Sequence, residues 1–575
     1  MKQVYKLTFN DGGYLQRDDT IQQEKSDERF EAYEGKVIRN IRYKVQDVVG
    51  PDVDDTSKVS LPGFYSWLNN LHPKTRNYVV KNNQLFKENE KLNPLELANS
   101  ERLLRDLASI KDARIYVSQV ENQPDSVDIT IVVKDKFPIG ARLDVPSSDH
   151  YNLSVYTVNF MGWGHLFDNT VSVLPGHAPL LRYSRMQYSL PNIAGTFIKG
   201  EGILQWEDDT WLKKFQAQKV YEPLKPSWGG LAKIEENRYN RVDVVIDPHD
   251  PDHDSLTELP ITYNEKNLAV GYSFMFDKED VLAPEFMVIL PAYISRQYLE
   301  RPHIAEDTNF QYQHRTNLLF SITFLRNDFY RSRYINNFGI TEDVPYGMNI
   351  TLTMGYELGE LTDRSYGGAS VSAGNYTGNL GYFYSKVEAG SFVRNRKFNQ
   401  GLVNLEFSYF SKLFSTPGQY RSRLSFSTYY AIGFNRYGGE RLYILDDYAL
   451  KGLDTDFLYG NQRLNFIAKL TTFTPWYFYG FRFAVELFAD LGFIGSNTES
   501  IFNNTLYSGL GIGFKIRNES LVFRTIELSL IWHPILPEGQ GDRFHLGARS
   551  VPTSRFADFQ ATNPYIIPYK YYYYE

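Results

Sequence analysis

The chain has 575 residues, of which 15% are aromatic and none is cysteine, and its formal net charge is −7. Its mean hydropathy is −0.40, and no apolar run reaches the roughly 18 residues that a membrane-spanning helix needs, so a helical membrane protein is excluded. Without cysteine there is no disulfide framework and no thiolate site. The mild acidity argues against nucleic acid as a partner, because binding it would need clustered Lys and Arg.

Residues 1–33 are rich in charged and glutamine side chains and predict a polar, solvated lead-in, although they would also suit the end of a preceding module. The first six residues lack the apolar stretch of a secretion signal. If the protein is exported, we therefore expect a signal that lies upstream or has been removed.

Residues 34–138 predict a small α+β domain. Asn93, Pro94 and Glu96 are the N-cap, the first-turn proline and the early acidic residue that begin a helix. That helix carries apolar side chains at helical spacing, namely Leu97, Leu104 and Leu107. The chain order is strand, helix, helix, strand, strand, with the other elements predicted at residues 36–43, 75–80, 113–117 and 127–133.

The longest part of the chain alternates apolar and polar residues with a period of two, as membrane strands do. Within residues 481–493 the polar face holds Arg482, Glu486 and Asp490, and the other face is apolar throughout: Phe481, Phe483, Val485, Leu487, Ala489, Leu491 and Phe493. This length suits a tilted membrane strand, which needs roughly 9–11 residues. Such segments recur about every 25 residues over 139–551, which predicts about 16 strands.

A soluble all-β protein with one wet face would alternate in the same way. Two features favour the membrane instead. Aromatic residues crowd the strand ends, as at residues 429–430 and 476–479, and resemble the girdle of a membrane barrel. Charges gather on one face, as a polar lumen requires. We therefore predict a transmembrane antiparallel β-barrel over residues 139–551 in an outer membrane.

The order of these two parts resembles the BamA/TamA superfamily of outer-membrane assembly and secretion barrels. The helix and strands at residues 99–107, 110–117 and 127–132 are similar to a POTRA domain. Residues 159–164, Asn-Phe-Met-Gly-Trp-Gly, are similar to the glycine-rich first hairpin of the family's barrels. The resemblance thus implies a periplasmic POTRA domain joined to an assembly barrel.

The most specific similarity is the stretch Ala-Leu-Lys-Gly-Leu at residues 449–453. In the superfamily an Arg-Gly motif lies at the tip of a long loop that folds into the lumen, where the arginine meets acidic residues of neighbouring strands. The resemblance implies a lumenal loop motif at Lys451 and Gly452, with Asp490 as its lumen-facing partner.

The loop motif departs from the family pattern. Lys451 replaces the arginine, so a bidentate fork becomes a point charge. The strand that often supplies a second carboxylate carries Lys469 and Thr471 instead, and a lumenal lysine beside Lys451 is expected to weaken the contact by repulsion. An ordinary lumenal loop is the alternative interpretation.

The C-terminal region predicts a short closing strand at residues 542–548, with Phe544 and Leu546 facing lipid. A short last strand makes few ladder hydrogen bonds to the first strand and leaves a weak seam, and in assembly barrels this seam opens laterally. Residues 552–575 form a tail beyond the usual end of the family. Such a tail would plug the barrel, dock on it or trail from it.

The sequence predicts no catalytic, cofactor-binding or metal site. It has no Gly-x-Ser-x-Gly elbow and no Walker loop. Residues 247–254 are dense in Asp and His but lack EF-hand spacing, so a solvated acidic loop is favoured over a calcium site.

Three functions remain open. The first is a non-enzymatic assembly or translocation factor, in which the POTRA-like domain receives unfolded clients or partners by β-augmentation and the seam acts in insertion. The second is a family member without insertase activity that serves as a subunit or scaffold of an outer-membrane complex. The third is a barrel enzyme or a pore. The expected partners are outer-membrane lipid and either client proteins or complex subunits.

Overall fold

A computed structural model gives the protein two packed parts, a small α+β module and a large antiparallel barrel. The structure describes residues 25–50, 52–54, 69–70, 72–147, 150–176, 178–222, 224–245, 255–276, 284–306, 308–416, 419–437, 440–444, 450–453, 458–478, 480–537, 542–551 and 559–569. Most of the 1–33 lead-in and the acidic stretch 247–254 lie outside these residues. No helix within them is long and apolar enough to cross a membrane.

The module has the chain order that the sequence predicts. Its elements are β1 (Val37–Gln46), α1 (Asn77–Asn82), α2 (Pro94–Arg105), β2 (Ile110–Val120) and β3 (Gln123–Asp135). The sheet order is β1-β3-β2, with β1 parallel and β2 antiparallel to the central β3. The predicted helix start is confirmed, because the Asn93 side chain accepts a hydrogen bond from the Leu95 N–H at 3.0 Å.

The module core lies between the two helices and one face of the sheet. Its fully buried members include Ile38, Leu97, Leu104, Ile129 and Ile131. A short 3-10 helix, Glu28–Tyr33, adds Phe30 to the same core. The packed module therefore begins before residue 34, because an aromatic side chain of the predicted lead-in is needed to close the core.

The barrel sheet contains every later strand except one short hairpin. Its strands are β4 (Ile139–Ser147), β5 (His150–Thr157), β6 (Leu166–Val173), β7 (Leu181–Leu190), β8 (Ile198–Glu207), β9 (Thr210–Lys219), β10 (Ser227–Val245), β11 (Ser255–Phe276), β12 (Glu285–Glu300), β13 (Arg315–Ser332), β14 (Glu342–Gly359), β15 (Arg364–Thr377), β16 (Gly381–Arg394), β17 (Lys397–Phe410), β18 (Phe414–Thr416), β19 (Tyr420–Phe434), β22 (Gln462–Phe478), β23 (Phe481–Gly495), β24 (Tyr507–Asn518), β25 (Thr525–Trp532) and β26 (Phe544–Val551). The hairpin outside it is β20 (Leu442–Tyr443) with β21 (Tyr459–Gly460).

Within the described residues the sheet has twenty strands, with β17 and β18 counted as one, rather than the predicted sixteen or so. Strand β18 continues the line of β17, since both pair with β19 in one antiparallel direction. The prediction was too low because the early hairpins are compact. Strands β4 to β9 have 8 to 10 residues each, so the repeat there is shorter than about 25 residues.

Alternation along the strands separates a lumen face from a lipid face, as predicted. In β25 the residues alternate strictly between buried and exposed. Thr525, Glu527 and Ser529 are buried toward the lumen, whereas the outward side chains are apolar: Ile526, Leu528, Leu530 and Trp532. A barrel in water would not expose a continuous apolar exterior of this kind.

The seam joins the last strand to the first. In the strand order of the sheet, β26 is the neighbour of β4. The described residues carry no run of paired residues between β26 and β4, whereas β26 pairs with β25 and β4 pairs with β5 along nearly their whole lengths. Leu546 of β26 and Leu143 of β4 are correspondingly 82% and 64% exposed. The seam is the weakest junction of the wall.

Candidate functional site

The long connection between β19 and β22 folds into the barrel. Its β20–β21 hairpin leads to a loop tip, residues 450–453, anchored by an apolar cluster of Ile444, Leu450 and Leu453 with Ile494 of β23. All four side chains are buried. The sequence resemblance implies a lumenal loop here, and the described residues of the loop lie against the inner wall.

Lys451 contacts two carboxylates from two strands. Its ammonium lies 3.2 Å from Glu527 Oε1 on β25 and 3.8 Å from Glu486 Oε1 on β23. It also lies 4.0 Å from the ring centre of Phe488, an arrangement that favours a cation. Ion pairs therefore hold the loop tip on β23 and β25, the strands next to the closing strand β26 and the seam.

The two carboxylates are shared with other cations. Glu486 pairs with Lys515 on β24 and accepts a hydrogen bond from Thr471 at 2.9 Å. Glu527 pairs with Arg549 of β26 at 3.2 Å. Both glutamates are almost fully buried, so each needs its cationic partners to offset the loss of water.

Asp490, the predicted partner, lies on the lumen face of β23 but does not pair with Lys451. Its side chain is 1% exposed, and neither carboxylate oxygen has a hydrogen-bond partner among the described residues. Lys451 contacts instead Glu486, which lies four residues earlier on the same face of β23, and Glu527 of β25. Both form the ion pairs that the resemblance assigned to Asp490.

Gly452 brings the loop tip against the closing strand. Its φ is +77°, which favours glycine. A Cβ at this position would lie 2.6 Å from Cδ2 of His545 on β26, so only glycine permits this approach. The predicted motif Lys451-Gly452 thus bridges β23, β25 and β26.

The closing-strand residues Phe544 and Leu546 lie on the outer face. They pair with Trp532 and Leu530 of β25 and are 66% and 82% exposed. On the inner face of the same strand, Arg549 reaches Glu527. One strand therefore presents apolar residues to lipid and a cation to the loop site.

Sequence reasoning missed the roles of Glu486 and Glu527, although alternation places both on the lumen face. The predicted repulsion from Lys469 is also offset. Lys469 lines the same lumenal cavity as Glu486, Lys515 and Arg549, where the glutamate is a counter-charge. Pairing across strands decides such contacts, and it is not visible along a single segment.

The module packs on the end of the barrel where β4 begins. Arg105 of α2 donates two hydrogen bonds to Asp343 of β14, at 2.6 and 2.7 Å. Asn192, in the turn between β7 and β8, donates to the Asn82 carbonyl at 2.9 Å. On the opposite side of this end, the Phe137 N–H donates to the Ser520 carbonyl at 2.7 Å.

Arg105 is buried at this junction together with Glu101, which lies 3.1 Å from it. Burial raises the pKa of Glu101, but the charges of Arg29 and Arg105 outweigh burial and lower it to about 2. Both side chains are therefore charged at neutral pH, and the junction is an ion-pair network rather than an apolar seal.

Among the described residues, no group of three or more His, Asp or Glu side chains is placed to hold a metal ion. The ion pairs of Lys451 and the apolar cluster position the loop tip against the last strands.

The sequence matches no family model and no curated protein. Among solved structures, the chain is similar to CdiB from Acinetobacter baumannii, with 11% identity over 90% of this chain and 73% of that chain and a TM-score of 0.42. It is also similar to BamA from Haemophilus ducreyi lacking POTRA domains 1-3, with 12% identity, coverages of 89% and 84% and a TM-score of 0.31. It is similar as well to CdiB from Escherichia coli, with 10% identity over 95% of this chain and 95% of that chain and a TM-score of 0.32.

Proposed function

We propose that this chain is a non-enzymatic outer-membrane factor of the BamA/TamA superfamily that assembles or translocates proteins. The observation that carries the proposal is the Lys451-Gly452 loop tip seated on β25 and β26, beside the seam that has no run of paired residues. Lys451 of the loop pairs with Glu527, which also pairs with Arg549 of the closing strand, so a change at the loop can hold that strand in place or let it move.

The module serves in this proposal as a periplasmic POTRA domain that receives a client or partner by β-augmentation, which needs a free strand edge. Part of each edge is capped. The Ile115 N–H of β2 donates to Glu101 at 2.5 Å, and the Ile41 N–H of β1 donates to Glu88 at 3.0 Å. The far end of β2, from Val117 to Val120, carries half-buried and exposed residues. We assign the incoming strand to that end.

The test replaces the chromosomal copy with loop variants and quantifies outer-membrane and surface proteins by mass spectrometry. Lys451→Ala removes the contact with both glutamates and is expected to lower the levels of many of these proteins. Lys451→Arg keeps the charge and adds the family's fork, so we expect wild-type levels. Lys397→Ala, in an exposed hairpin, is the matched control. Depletion of the protein without any change in the outer-membrane proteome would rule out the proposal.

A scaffold or subunit role is the second candidate, and one observation favours it. The module is held on the barrel by the buried pair Arg105–Asp343, which is a rigid geometry for a platform. Extraction in mild detergent followed by native mass determination separates the two roles. A stable complex of defined subunits supports the scaffold, whereas a monomer alone argues against it.

A further inference from the structure

The C-terminal tail enters the barrel. Residues 559–569 run as an extended chain without helix or strand, and Phe559, Ile567 and Tyr569 are buried at 1%, 8% and 4% exposure. We infer that the lumenal face of β13 to β19 is a binding groove for an extended aromatic polypeptide segment, that the tail segment 559–569 occupies it, and that this occupancy keeps the lumen closed.

Polar contacts hold the segment at intervals along its length. Asn327 of β13 donates to the Phe559 carbonyl at 2.6 Å. Tyr565 donates to Glu388 of β16 at 2.7 Å. The Ile567 N–H donates to the Tyr366 hydroxyl at 2.9 Å. Barrel side chains thus form hydrogen bonds with both backbone and side-chain groups of the tail. These bonds satisfy polar groups along the segment and indicate a specific binding site.

Glycines of the wall, and the tyrosines that they admit, shape the surface around the tail. A Cβ at Gly433 of β19 would lie 2.7 Å from the Tyr569 ring, which is the nearest group there. This glycine therefore leaves space for a tail side chain.

At two further glycines the nearest group is a tyrosine of the wall. A Cβ at Gly390 of β16 would lie 2.5 Å from the Tyr366 hydroxyl and 3.1 Å from Cδ1 of Ile567. A Cβ at Gly374 of β15 would lie against the Tyr382 hydroxyl and 2.9 Å from the Phe559 ring. Each of these glycines thus leaves space for a wall tyrosine beside a buried tail residue.

The two ends of the described tail contact different parts of the molecule. Phe559 and Ala561 line a cavity with Arg102 of the module. At the far end the Tyr569 ring stacks on Arg436 at 4.0 Å and packs with Leu442 at the base of the lumenal loop. An extended segment of this length reaches up to about 36 Å, so it can connect the module side of the wall to the base of the lumenal loop.

The chemistry of the occupant follows from these contacts. It is extended, with bulky apolar or aromatic residues at the glycine positions. Pro564 and Pro568 lack N–H donors and keep the tail from joining the sheet as a further strand. Beside it lies a cavity of about 790 Å³ lined by tyrosines and arginines, which include Tyr263, Arg296 and Tyr298. Loss of the tail would merge groove and cavity into one conduit.

Planar-bilayer conductance of the purified full chain tests the inference. A variant ending at residue 551 is expected to conduct severalfold more than the intact chain. Full-length Gly433→Leu, which fills the space of Tyr569, is expected to do the same. Gly367→Leu is the matched control, since a Cβ there meets nothing within 4 Å. Heat-modifiable migration on gels shows whether each barrel is folded. If one of the two variants, the shortened chain or Gly433→Leu, fails to fold, the conductance of the other still tests the inference.

A synthetic peptide of residues 559–569 then tests whether the groove is a receptor. Added to the shortened variant, it is expected to bind and return conductance toward that of the intact chain. A peptide with Phe559, Ile567 and Tyr569 replaced by serine is expected to leave conductance high. Equal conductance of intact and shortened chains, or equal block by both peptides, would overturn the inference.

Discussion

Two segments of this chain enter the lumen, and the wall receives them by different means. The loop tip is held by charge, through Lys451 with Glu486 and Glu527. The tail is held mainly by shape, with Tyr569 seated over Gly433 and Phe559 and Ile567 buried against the wall. The wall differs accordingly, being charged along β22 to β26 and rich in tyrosine and glycine along β13 to β19.

The difference teaches which segment is easier to release. A buried ion pair can be broken by moving one partner or by protonation, and its strength depends on local solvation. The packing of the tail's aromatic side chains does not depend on charge. A competing segment of similar shape is therefore needed to displace the tail, because it alone can replace the contacts that are lost. We therefore expect the loop to respond to charge and the tail to respond to a competing segment.

The largest expected effect comes from the tail. Phe559→Ala removes an aromatic ring from a buried site and is expected to weaken tail docking by about 3–5 kcal/mol. Hydrogen exchange by mass spectrometry would show faster exchange across residues 559–569. Thr562→Ala, at an exposed position of the same segment, is the control. Unchanged protection in Phe559→Ala would mean that charge, not shape, holds the tail.

The next effect concerns the loop. Glu527→Gln takes a carboxylate from Lys451, Lys515 and Arg549 and is expected to destabilise the seated loop by about 3 kcal/mol. A cysteine introduced at Leu453 reports loop release by its labelling rate, since the chain has no native cysteine. The exposed Glu499→Gln serves as control. Equal labelling rates in the two variants would show that the ion pair with Glu527 does not hold the loop in place.

A smaller effect is expected at the module junction. Asp343→Asn takes away the charged acceptor of Arg105 and is expected to weaken docking by about 2 kcal/mol. Faster hydrogen exchange in α2 measures the loss, and Asp125→Asn in the exposed module hairpin is the comparison. A result in which both variants exchange alike would show that the junction does not depend on this pair.

The smallest effect is that of pH on the same junction. The pKa of Glu101 is lowered from 4.5 to about 2, so its contribution to stability is complete above pH 4.5 and is lost as the pH falls toward 2. Between pH 7 and pH 4 the loss is about 1 kcal/mol. Exchange in α2, corrected for intrinsic rates, would show it. Glu101→Gln is expected to remove this dependence, and a dependence that persists in the variant would contradict the assignment.

Much of the fold could be predicted because its signals are local. The cap at Asn93 and the period of two in β25 each lie within a few residues. The partners of Lys451 could not be chosen this way, since Glu486 and Glu527 share its site only through the pairing of β23 to β25 by way of β24. The binding site of the tail depends on glycines of separate strands. The register of the strands brings these glycines together, and register cannot be seen along one segment.

The unequal strand lengths have a consequence for the membrane itself. Strands β4 to β9 and β25 to β26 have 8 to 10 residues, whereas β10 to β14, farther from the seam, have 16 to 22. A bilayer of even thickness thus borders a wall of uneven height. Lipid beside the low part has to shorten or splay its tails to cover the apolar band. The barrel would then deform its bilayer most where its own wall is weakest.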